Sequence, residues 1–282
     1  MSWFAALRLF HERRIAVPVG DDDLVLDVGS GDKPSWRADV LLDRFTGAEH
    51  GGQRSGRAEV RVSRPLFDAD AADMPFADNA FAYAICSNVL EHVTDPVGVA
   101  AELSRVAEAG YIEVPEAASA KIVDFPSHLW WCRLEDEPEG PTLVFTAKTA
   151  PYHDPEIDAY IERAGVRREL DAVLNKRFEH RVVQYHWTGS VRLRVEGELD
   201  PDFAAAAMRA EGHHRTWETV AAQGVTQALT WRTRRRRGTP RIPWDAVVKP
   251  ELRGRIGQGG QGGQGGYLER RIYRLDEAGT GS

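Results

Sequence analysis

The feature that constrains this chain most is a short apolar run that ends in two closely spaced glycines. Residues 24–28 read Leu-Val-Leu-Asp-Val, and Gly29-Ser30-Gly31 follows directly. A continuous apolar run bounded by glycine predicts a strand that is buried on both faces. The glycines predict a tight turn with close backbone approach, because they lack a Cβ. The run therefore predicts the first strand of a covered sheet, with a ligand site at its end.

Further apolar runs repeat this pattern along the first half of the chain. Between the runs at residues 81–86 and 110–114, residues 95–106 predict a helix that begins with Asp95 as N-cap and Pro96 at the first helical position. Strands that alternate with helices predict an α/β fold with a mostly parallel sheet covered on both faces. Ligands bind such sheets beyond the carboxyl ends of the strands. The predicted strands lie in residues 38–43, 64–68, 81–86 and 110–114.

The regular alternation stops after Val114. Residues 115–155 contain six prolines and the pair Trp130-Trp131, which predicts an ordered insertion over the ligand edge of the sheet. Residues 177–194 alternate enough to predict two antiparallel strands that close the sheet.

We predict one domain over residues 1–200 and a C-terminal appendage over residues 201–282. The appendage contains the block Arg234–Arg237 and a Gly/Gln repeat over residues 257–266, a composition typical of flexible chain.

Composition and charge exclude several classes of protein. Hydrophobic residues make up 42% and charged residues 28%, and no apolar run is long enough for a membrane helix. The first residues lack the pattern of a signal peptide, and two cysteines form neither a disulfide framework nor a four-cysteine zinc site. We therefore expect a cytoplasmic protein. The net charge is −7, and one block of four arginines without interleaved aromatic residues does not predict nucleic-acid binding.

The glycine turn has two common interpretations, a dinucleotide site or an S-adenosylmethionine (SAM) site. The dinucleotide pattern requires a third glycine where this chain has Pro34. It also places an acid about twenty residues further on, whereas Asp43 is much closer to Gly31. SAM has no pyrophosphate and therefore does not need the third glycine. The turn favours SAM.

Two further motifs follow in order. Residues 70–76 read Asp-Ala-Ala-Asp-Met-Pro-Phe, Asp78 and Phe81 come next, and residues 86–93 read Cys-Ser-Asn-Val-Leu-Glu-His-Val. With these motifs, residues 20–115 resemble the class I SAM-dependent methyltransferases that carry D-A-x-x-L-P-F, D-x-x-F and V-L-E-H-V. The chain departs from this pattern at Met74, where the family has leucine. The resemblance implies a Rossmann-like sheet of seven strands.

The resemblance also implies how the residues would bind SAM. Gly29-Ser30-Gly31 would lie beneath the methionine part of the cofactor. Asp43 would accept hydrogen bonds from both ribose hydroxyls, and Asp70 would accept one from the adenine amino group, with Ala71 beside the ring.

Two more residues belong to this predicted site. Asn88, just after the fourth strand, would contact the methionine end of SAM or the acceptor. For Asp27, direct contact with the ligand and a structural role in orienting the glycine turn both stay open.

Methyl transfer to a hydroxyl group needs a general base. His128 and His153 are the candidate bases, because both lie in the predicted insertion over the ligand edge. The pair Glu91-His92 resembles part of the metal-binding E-x-x-E-H motif of ubiquinone-pathway O-methyltransferases. Asn88 replaces the first glutamate of that motif, so Mg²⁺ as a cofactor stays open and the metal ligands are left unassigned.

The acceptor is predicted from a further resemblance. Residues 105–116 and 125–131 resemble a bacterial subgroup associated with saccharide modification, and 31 arginines against five lysines resemble an actinobacterial proteome. The leading prediction is O-methylation of a saccharide, such as a precursor of a methylated polysaccharide. The alternatives are a methyltransferase of a small phenol, quinone or natural product, and a non-catalytic SAM-binding scaffold. Association into homo-oligomers stays open.

Overall fold

The structure is a computed structural model of the 282-residue chain. None of the helices it describes is long and apolar enough to cross a membrane. The predicted base His153 lies outside the described residues, as does most of the Gly/Gln repeat. The described residues are 7–8, 10–11, 13–47, 60–122, 125–149, 155–209, 217–253 and 266–274.

Strands in these ranges form two sheets. The strands are β1 (Val25–Val28), β2 (Val40–Leu42), β3 (Leu66–Asp68), β4 (Tyr83–Ser87), β5 (Ala109–Pro115), β6 (Trp130–Glu137), β7 (Gly140–Ala147), β8 (Val182–Thr188), β9 (Leu193–Glu196) and β10 (Ile272–Arg274). The seven-stranded sheet has the order β10-β3-β2-β1-β4-β5-β8, and the three-stranded sheet has the order β6-β7-β9.

The strand directions match the predicted fold class. All neighbours in the large sheet are parallel except β8, which runs antiparallel to β5 with Tyr185 opposite Ile112. The predicted Rossmann-like sheet of seven strands is confirmed.

Seven α-helices lie within the described ranges. The first of them confirms the predicted helix after β4, because the Asp95 side chain accepts a hydrogen bond from Gly98 N at 2.8 Å and caps it. Its apolar side packs into the main core. The helices are α1 (Pro96–Val106), α2 (Ala117–Ile122), α3 (Pro155–Ala164), α4 (Arg167–Leu174), α5 (Pro201–Met208), α6 (Trp217–Arg237) and α7 (Trp244–Val247).

The opposite face of the sheet has a smaller core. Val25, Tyr83, Ile85 and Tyr111 form it, and side chains from the non-helical residues 15–19 pack against them. The link between β1 and β2, residues 29–39, contains no helix. It is therefore free to form the turn at the ligand edge.

The prediction of two closing strands over residues 177–194 is wrong for the second strand. Only β8 joins the large sheet, whereas β9 pairs in parallel with β7, with Val195 opposite Phe145. Gly189, at φ +74°, lies between the two strands in the left-handed region. Alternating polarity predicts a strand but does not identify its partner, which depends on contacts across the insertion.

The predicted appendage contributes to the large sheet. Strand β10 pairs in parallel with β3, with Tyr273 opposite Phe67, and the two rings stack with centroids 5.0 Å apart. The sheet therefore contains residues from both sides of the predicted division at residue 200, and the division itself stays a prediction.

Candidate functional site

The parallel strands bring the predicted ligand residues to one edge of the sheet. The turn at Gly29 follows β1, Asp43 follows β2, and Asp70 lies shortly after β3. Asn88 and Glu116 directly follow β4 and β5. Since carboxyl ends of parallel strands meet at one edge, the topology gathers these residues at the predicted ligand edge.

The glycine turn has the backbone conformation that its sequence indicates. Gly29 has φ +68° and Gly31 has φ +50°. Gly29 N donates to Leu42 O at 2.8 Å, which fixes the turn to the end of β2. A Cβ at position 29 would collide with the side chain of Val89, so the turn after β4 lies directly against the glycine turn.

Asp43 holds the same turn through its side chain. Its Oδ2 accepts a hydrogen bond from Gly31 N at 2.8 Å, and its Oδ1 accepts one from Phe45 N at 2.9 Å. The residue is buried. A carboxylate has about four lone-pair sites and can accept several hydrogen bonds at once.

Asp27 fixes part of the loop after β1 through its side chain. Its Oδ2 accepts a hydrogen bond from Ser35 N at 2.6 Å and so fixes the far end of the loop after β1. Burial raises the pKa of its carboxyl to about 7, against the opposing effect of the Ser35 hydrogen bond. The contacts of Asp27 in the described part of the chain are compatible both with a structural role and with direct ligand contact.

Two buried polar atoms in the glycine loop lack partners among the described residues. Ser30 Oγ and one carboxylate oxygen of Asp32 have no hydrogen-bond partner. Buried polar atoms are normally paired, and a ligand with an ammonium group would supply the missing donors. The loop therefore fits the amino-acid end of SAM. Asp32 was missed in the sequence, although an acid directly after the second glycine was a signal for it.

Asp70 and its neighbour Ala71 lie shortly after β3, at the same edge of the sheet. The Asp70 Oδ1 accepts from Ala72 N at 2.9 Å, and its Oδ2 forms an ion pair with Arg44. The Asp70 side chain is 42% exposed. Ala71 is buried in the main core. Any contact of Asp70 with adenine would thus compete with Arg44, which the sequence did not reveal.

Asn88 has a left-handed backbone, with φ +55°, and turns its side chain towards β5. Its amide nitrogen donates to Ser87 Oγ at 3.0 Å and to Glu113 Oε1 at 3.2 Å. Glu113 also accepts from Tyr111 Oη at 2.6 Å. The Asn88 side chain is therefore part of a network between strands, which gives no support to Mg²⁺ binding at this position.

The predicted base His128 lies in a buried cluster with Glu91 and His92. Leu129 N donates to Glu91 O at 2.8 Å, so the start of the insertion runs beside the turn after β4. The imidazole rings of His92 and His128 have centroids 4.8 Å apart. The ligand atoms of the three side chains all lie within 4.8 Å of one another.

Burial sets the charges in this cluster. It raises the pKa of the Glu91 carboxyl to about 8 and lowers the pKa of His92 to about 4. Burial also lowers the pKa of His128, and the charges of His92 and Lys148 act in the same direction. Both imidazoles are consequently neutral near pH 7 and can offer a lone pair. The sequence did not reveal the role of Lys148, because nothing around this residue in the chain indicates burial.

The aromatic pair of the insertion does not form an open platform. Trp130 is buried, and its Nε1 donates to Val93 O at 2.8 Å. Lys148 Nζ lies 3.9 Å from the ring centroid of Trp131, and Lys121 Nζ lies at 5.5 Å. Trp130 belongs to the core, and Trp131 contacts cations.

A polar groove opens beside this region. Glu116 forms a β-bridge with Cys132, four residues after His128, so the groove adjoins the insertion. Its lining combines carboxylate, guanidinium and amide groups with apolar side chains, from Glu116, Arg133, Leu134, Glu179, Val182 and Gln184.

Comparison with known proteins gives solved structures of low similarity. A putative methyltransferase in complex with the Haloferax volcanii Trm112 activator shares 17% identity, over 43% of this chain and 54% of that chain, at a TM-score of 0.30. A putative methyltransferase from Bacillus halodurans shares 19% identity over 40% and 51% of the two chains, at a TM-score of 0.28. A SAM-dependent methyltransferase from Methanosarcina mazei shares 18% identity over 52% and 82%, at a TM-score of 0.30.

The match spans about half the length of the first two of these structures. No curated protein matches the chain. A family model, described as a methyltransferase domain, matches residues 26–112, which contain all but the first residue of β1, the glycine turn, β2 to β4 and α1. Residues 26–112 of this chain are therefore similar to a methyltransferase domain.

Proposed function

We propose that this chain transfers the methyl group of SAM to a hydroxyl group of a saccharide. One observation carries the proposal: a largely buried cluster of two imidazoles and a carboxyl group includes residues of the turn after β4, and that turn contacts the glycine turn. Val89, whose side chain leaves no room for a Cβ at Gly29, is two residues before Glu91. A donor held by the glycine turn and a proton acceptor in the cluster would therefore meet at one point of the sheet edge.

The loop residues would bind and orient the cofactor. When bound, SAM supplies a methyl group on a positively charged sulfonium. The unpartnered oxygens of Ser30 and Asp32 would accept hydrogen bonds from its ammonium group. Asp43 would accept from the ribose hydroxyls, while it keeps the turn in place through Gly31.

The cluster would take up the proton of the acceptor. The hydroxyl oxygen forms a bond to the methyl carbon while the carbon–sulfur bond breaks and its electron pair stays on sulfur. The hydroxyl proton then has to leave, and a positioned base contributes typically 10²–10⁴-fold to such a step. We assign this role to His128, which is 7% exposed and shielded from bulk water.

The polar groove supports a saccharide over a flat aromatic acceptor. Glu116 and Glu179 offer acceptors, and Gln184 offers both donors and acceptors. The Arg133 guanidinium, which already donates to Glu135, Thr146 and Glu196, adds a positive charge to the lining. Sugar hydroxyls donate and accept hydrogen bonds, so this mixed lining suits them. A phenol or quinone would instead need an open apolar or aromatic face, and Trp130 does not provide one because it is buried.

Calorimetry with SAM tests the cofactor site. Asp43→Ala is expected to weaken binding by on the order of 2–3 kcal/mol, because it removes acceptors from the ribose and from Gly31. Asp22→Ala is the matched control, since Asp22 is exposed on the amino side of β1. Unchanged SAM affinity in a folded Asp43→Ala protein would overturn the cofactor assignment.

Transfer of an isotope-labelled methyl group tests the acceptor. The purified protein is incubated with labelled SAM and, in parallel, with fractionated carbohydrates and with phenols and quinols. The proposal expects label in a carbohydrate as a base-stable methyl ether, reduced 10²–10⁴-fold in His128→Ala and unchanged in His180→Ala, which alters an exposed histidine. Label only in phenols or quinols would contradict the saccharide, and SAM binding without any transfer would favour a scaffold.

A further inference from the structure

We propose that Glu91, His92 and His128 form a binding site for one divalent transition-metal ion, for which Zn²⁺ is the representative probe. Each side chain offers one ligand atom, and these atoms lie within 4.8 Å of one another. The three residues come from two segments, the turn after β4 and the start of the insertion. Leu129 N joins the segments through its 2.8 Å hydrogen bond to Glu91 O.

The Glu91 carboxylate points to an ion because it is buried without a partner. The residue is 1% exposed, and neither of its oxygens has a hydrogen-bond partner among the described residues. A buried carboxyl group without any partner is costly, and such groups are normally paired or bound to a metal. A cation held between Glu91 and the two imidazoles would satisfy it.

His92 is already oriented as a metal ligand. Its Nδ1 donates to the carbonyl oxygen of Ser127 at 3.0 Å, and this bond fixes the tautomer with a lone pair on Nε2. That Nε2 lies 3.9 Å from Glu91 Oε1. A backbone carbonyl that accepts from the second ring nitrogen is the usual partner of a metal-binding histidine.

The donor set selects the type of ion. Two imidazoles and one carboxylate suit Zn²⁺, Mn²⁺ or Fe²⁺, whereas Mg²⁺ prefers oxygen ligands only. Ligand atoms in a tetrahedral site are roughly 3.4 Å apart when the bonds are about 2.1 Å long. Small side-chain rotations would therefore close the cluster around an ion. Three protein ligands leave a further position for water or an acceptor oxygen.

Lys148 places a positive charge near the ion that the cluster would bind. It is buried, and its charge acts on Glu91, on His92 and on His128. An ammonium group near the cluster repels a cation and weakens its binding. Its removal should thus strengthen metal binding, whereas removal of a ligand side chain should weaken it.

The chemical role of the ion, unlike its binding, rests on the proposed function. A hydroxyl group that coordinates a divalent cation loses its proton at lower pH than a free one. With the ion bound, the lone pair of His128 would bind the metal, and the acceptor proton would pass to solvent instead. The ion would then replace His128 as the agent of deprotonation.

Titration calorimetry of chelator-treated protein with ZnCl₂ tests the site without reference to activity. We expect one equivalent bound by the unaltered chain, and at least 100-fold weaker binding in His128→Ala and in His92→Gln. Lys148→Met should bind more tightly, and the exposed His180→Ala should bind as the unaltered chain does. Co²⁺ offers a second measurement, since a visible absorption band of a four- or five-coordinate ion should appear and disappear in the same variants.

The outcomes test the metal site and the proposed methyl transfer separately. The absence of stoichiometric Zn²⁺ binding, or its survival in a folded His128→Ala protein, would overturn the metal site. In that case, methyl transfer that persists after chelation would keep His128 as the base. Zn²⁺ binding with the expected pattern in a protein that transfers no methyl group would support the site and overturn the proposed function. Glu91→Gln, checked for folding by circular dichroism, should also lose the ion.

Discussion

Arg237 Nη2 donates a hydrogen bond to Asp39 Oδ2 at 2.6 Å, although the two residues are 198 positions apart in the chain. Asp39 is fully buried, and only 7% of the Arg237 side chain is exposed. The same Asp39 oxygen accepts from Arg37 Nη1 at 3.2 Å and from Val25 N at 3.0 Å. Arg237, the last residue of the block Arg234–Arg237, thus docks beside β1.

Arg237→Ala should therefore destabilise the protein. Removal of one partner of a buried ion pair leaves the other partner uncompensated, but Arg37 still pairs with Asp39, so we expect a loss of about 2–3 kcal/mol in the free energy of unfolding. Urea denaturation followed by circular dichroism measures it. Arg236→Ala, at an exposed position of the same block, should change the value by less than about 0.5 kcal/mol. Equal midpoints for the two variants would show that the ion pair is not a stabilising contact.

The second prediction concerns Tyr273, on the edge strand β10. Its ring is buried, stacks on Phe67 at 5.0 Å, and its hydroxyl accepts from Glu269 N at 2.7 Å. Tyr273→Ala should cost about 3–5 kcal/mol of stability, because it opens a cavity beside the sheet. Tyr273→Phe keeps the ring and should cost only about 1 kcal/mol.

Tyr267→Ala is the matched control for this prediction, since Tyr267 is 50% exposed. Thermal unfolding of the three variants compares them. A loss for Tyr273→Ala no larger than for Tyr267→Ala would mean that the C-terminal strand does not hold the sheet together.

These two contacts mark the limit of what the sequence could predict about the fold. The strands up to β5 and helix α1 were predictable, because apolar runs, the Asp95 cap and the glycine turn are local signals. Strand β10 has only three residues, and it follows the Gly/Gln repeat. Its pairing with β3 depends on the distant ring of Phe67, so no local pattern identified it.

The candidate site shows the same division. Asp43 and Asp70 were placed correctly at the sheet edge, because strand order fixes where carboxyl ends meet. The unpartnered carboxylate of Glu91 and the burial of Lys148 arise from contacts between the turn after β4 and the insertion. Such contacts appear only in three dimensions. The ion pair between Arg44 and Asp70 could likewise not be predicted, because the motif over residues 70–76 contains Asp70 but not Arg44.

The third prediction uses that ion pair to test the adenine site. Arg44 is 61% exposed, so its pair with Asp70 should be worth at most about 1 kcal/mol. If Asp70 accepts the adenine amino group, Arg44→Ala should leave SAM affinity unchanged or raise it by up to about fivefold, because the carboxylate is released. Asp70→Ala should lower the affinity by roughly tenfold. Calorimetry of both single variants and the double variant measures the coupling.

A fall in SAM affinity of similar size in Arg44→Ala and Asp70→Ala would contradict this assignment. It would indicate instead that the ion pair itself shapes the pocket, with Asp70 as a positioning residue. Thermal unfolding of each variant without SAM shows whether a change in affinity reflects a loss of folded protein.

The last prediction concerns pH and Asp27. Burial raises the pKa of this carboxyl from 3.8 to about 7, so in the window between these values the folded chain binds a proton that the unfolded chain has released. The contribution of Asp27 to stability is therefore fully present below about pH 4 and is lost as the pH rises towards 7.

Asp27→Asn keeps an acceptor for Ser35 N but does not titrate. Between pH 5 and pH 7, the unaltered protein should lose on the order of 2 kcal/mol relative to Asp27→Asn, measured by urea denaturation without SAM. The exposed Asp22→Asn should follow the unaltered protein across this range. Parallel curves for Asp27→Asn and the unaltered protein would show that Asp27 is ionised in the folded state throughout.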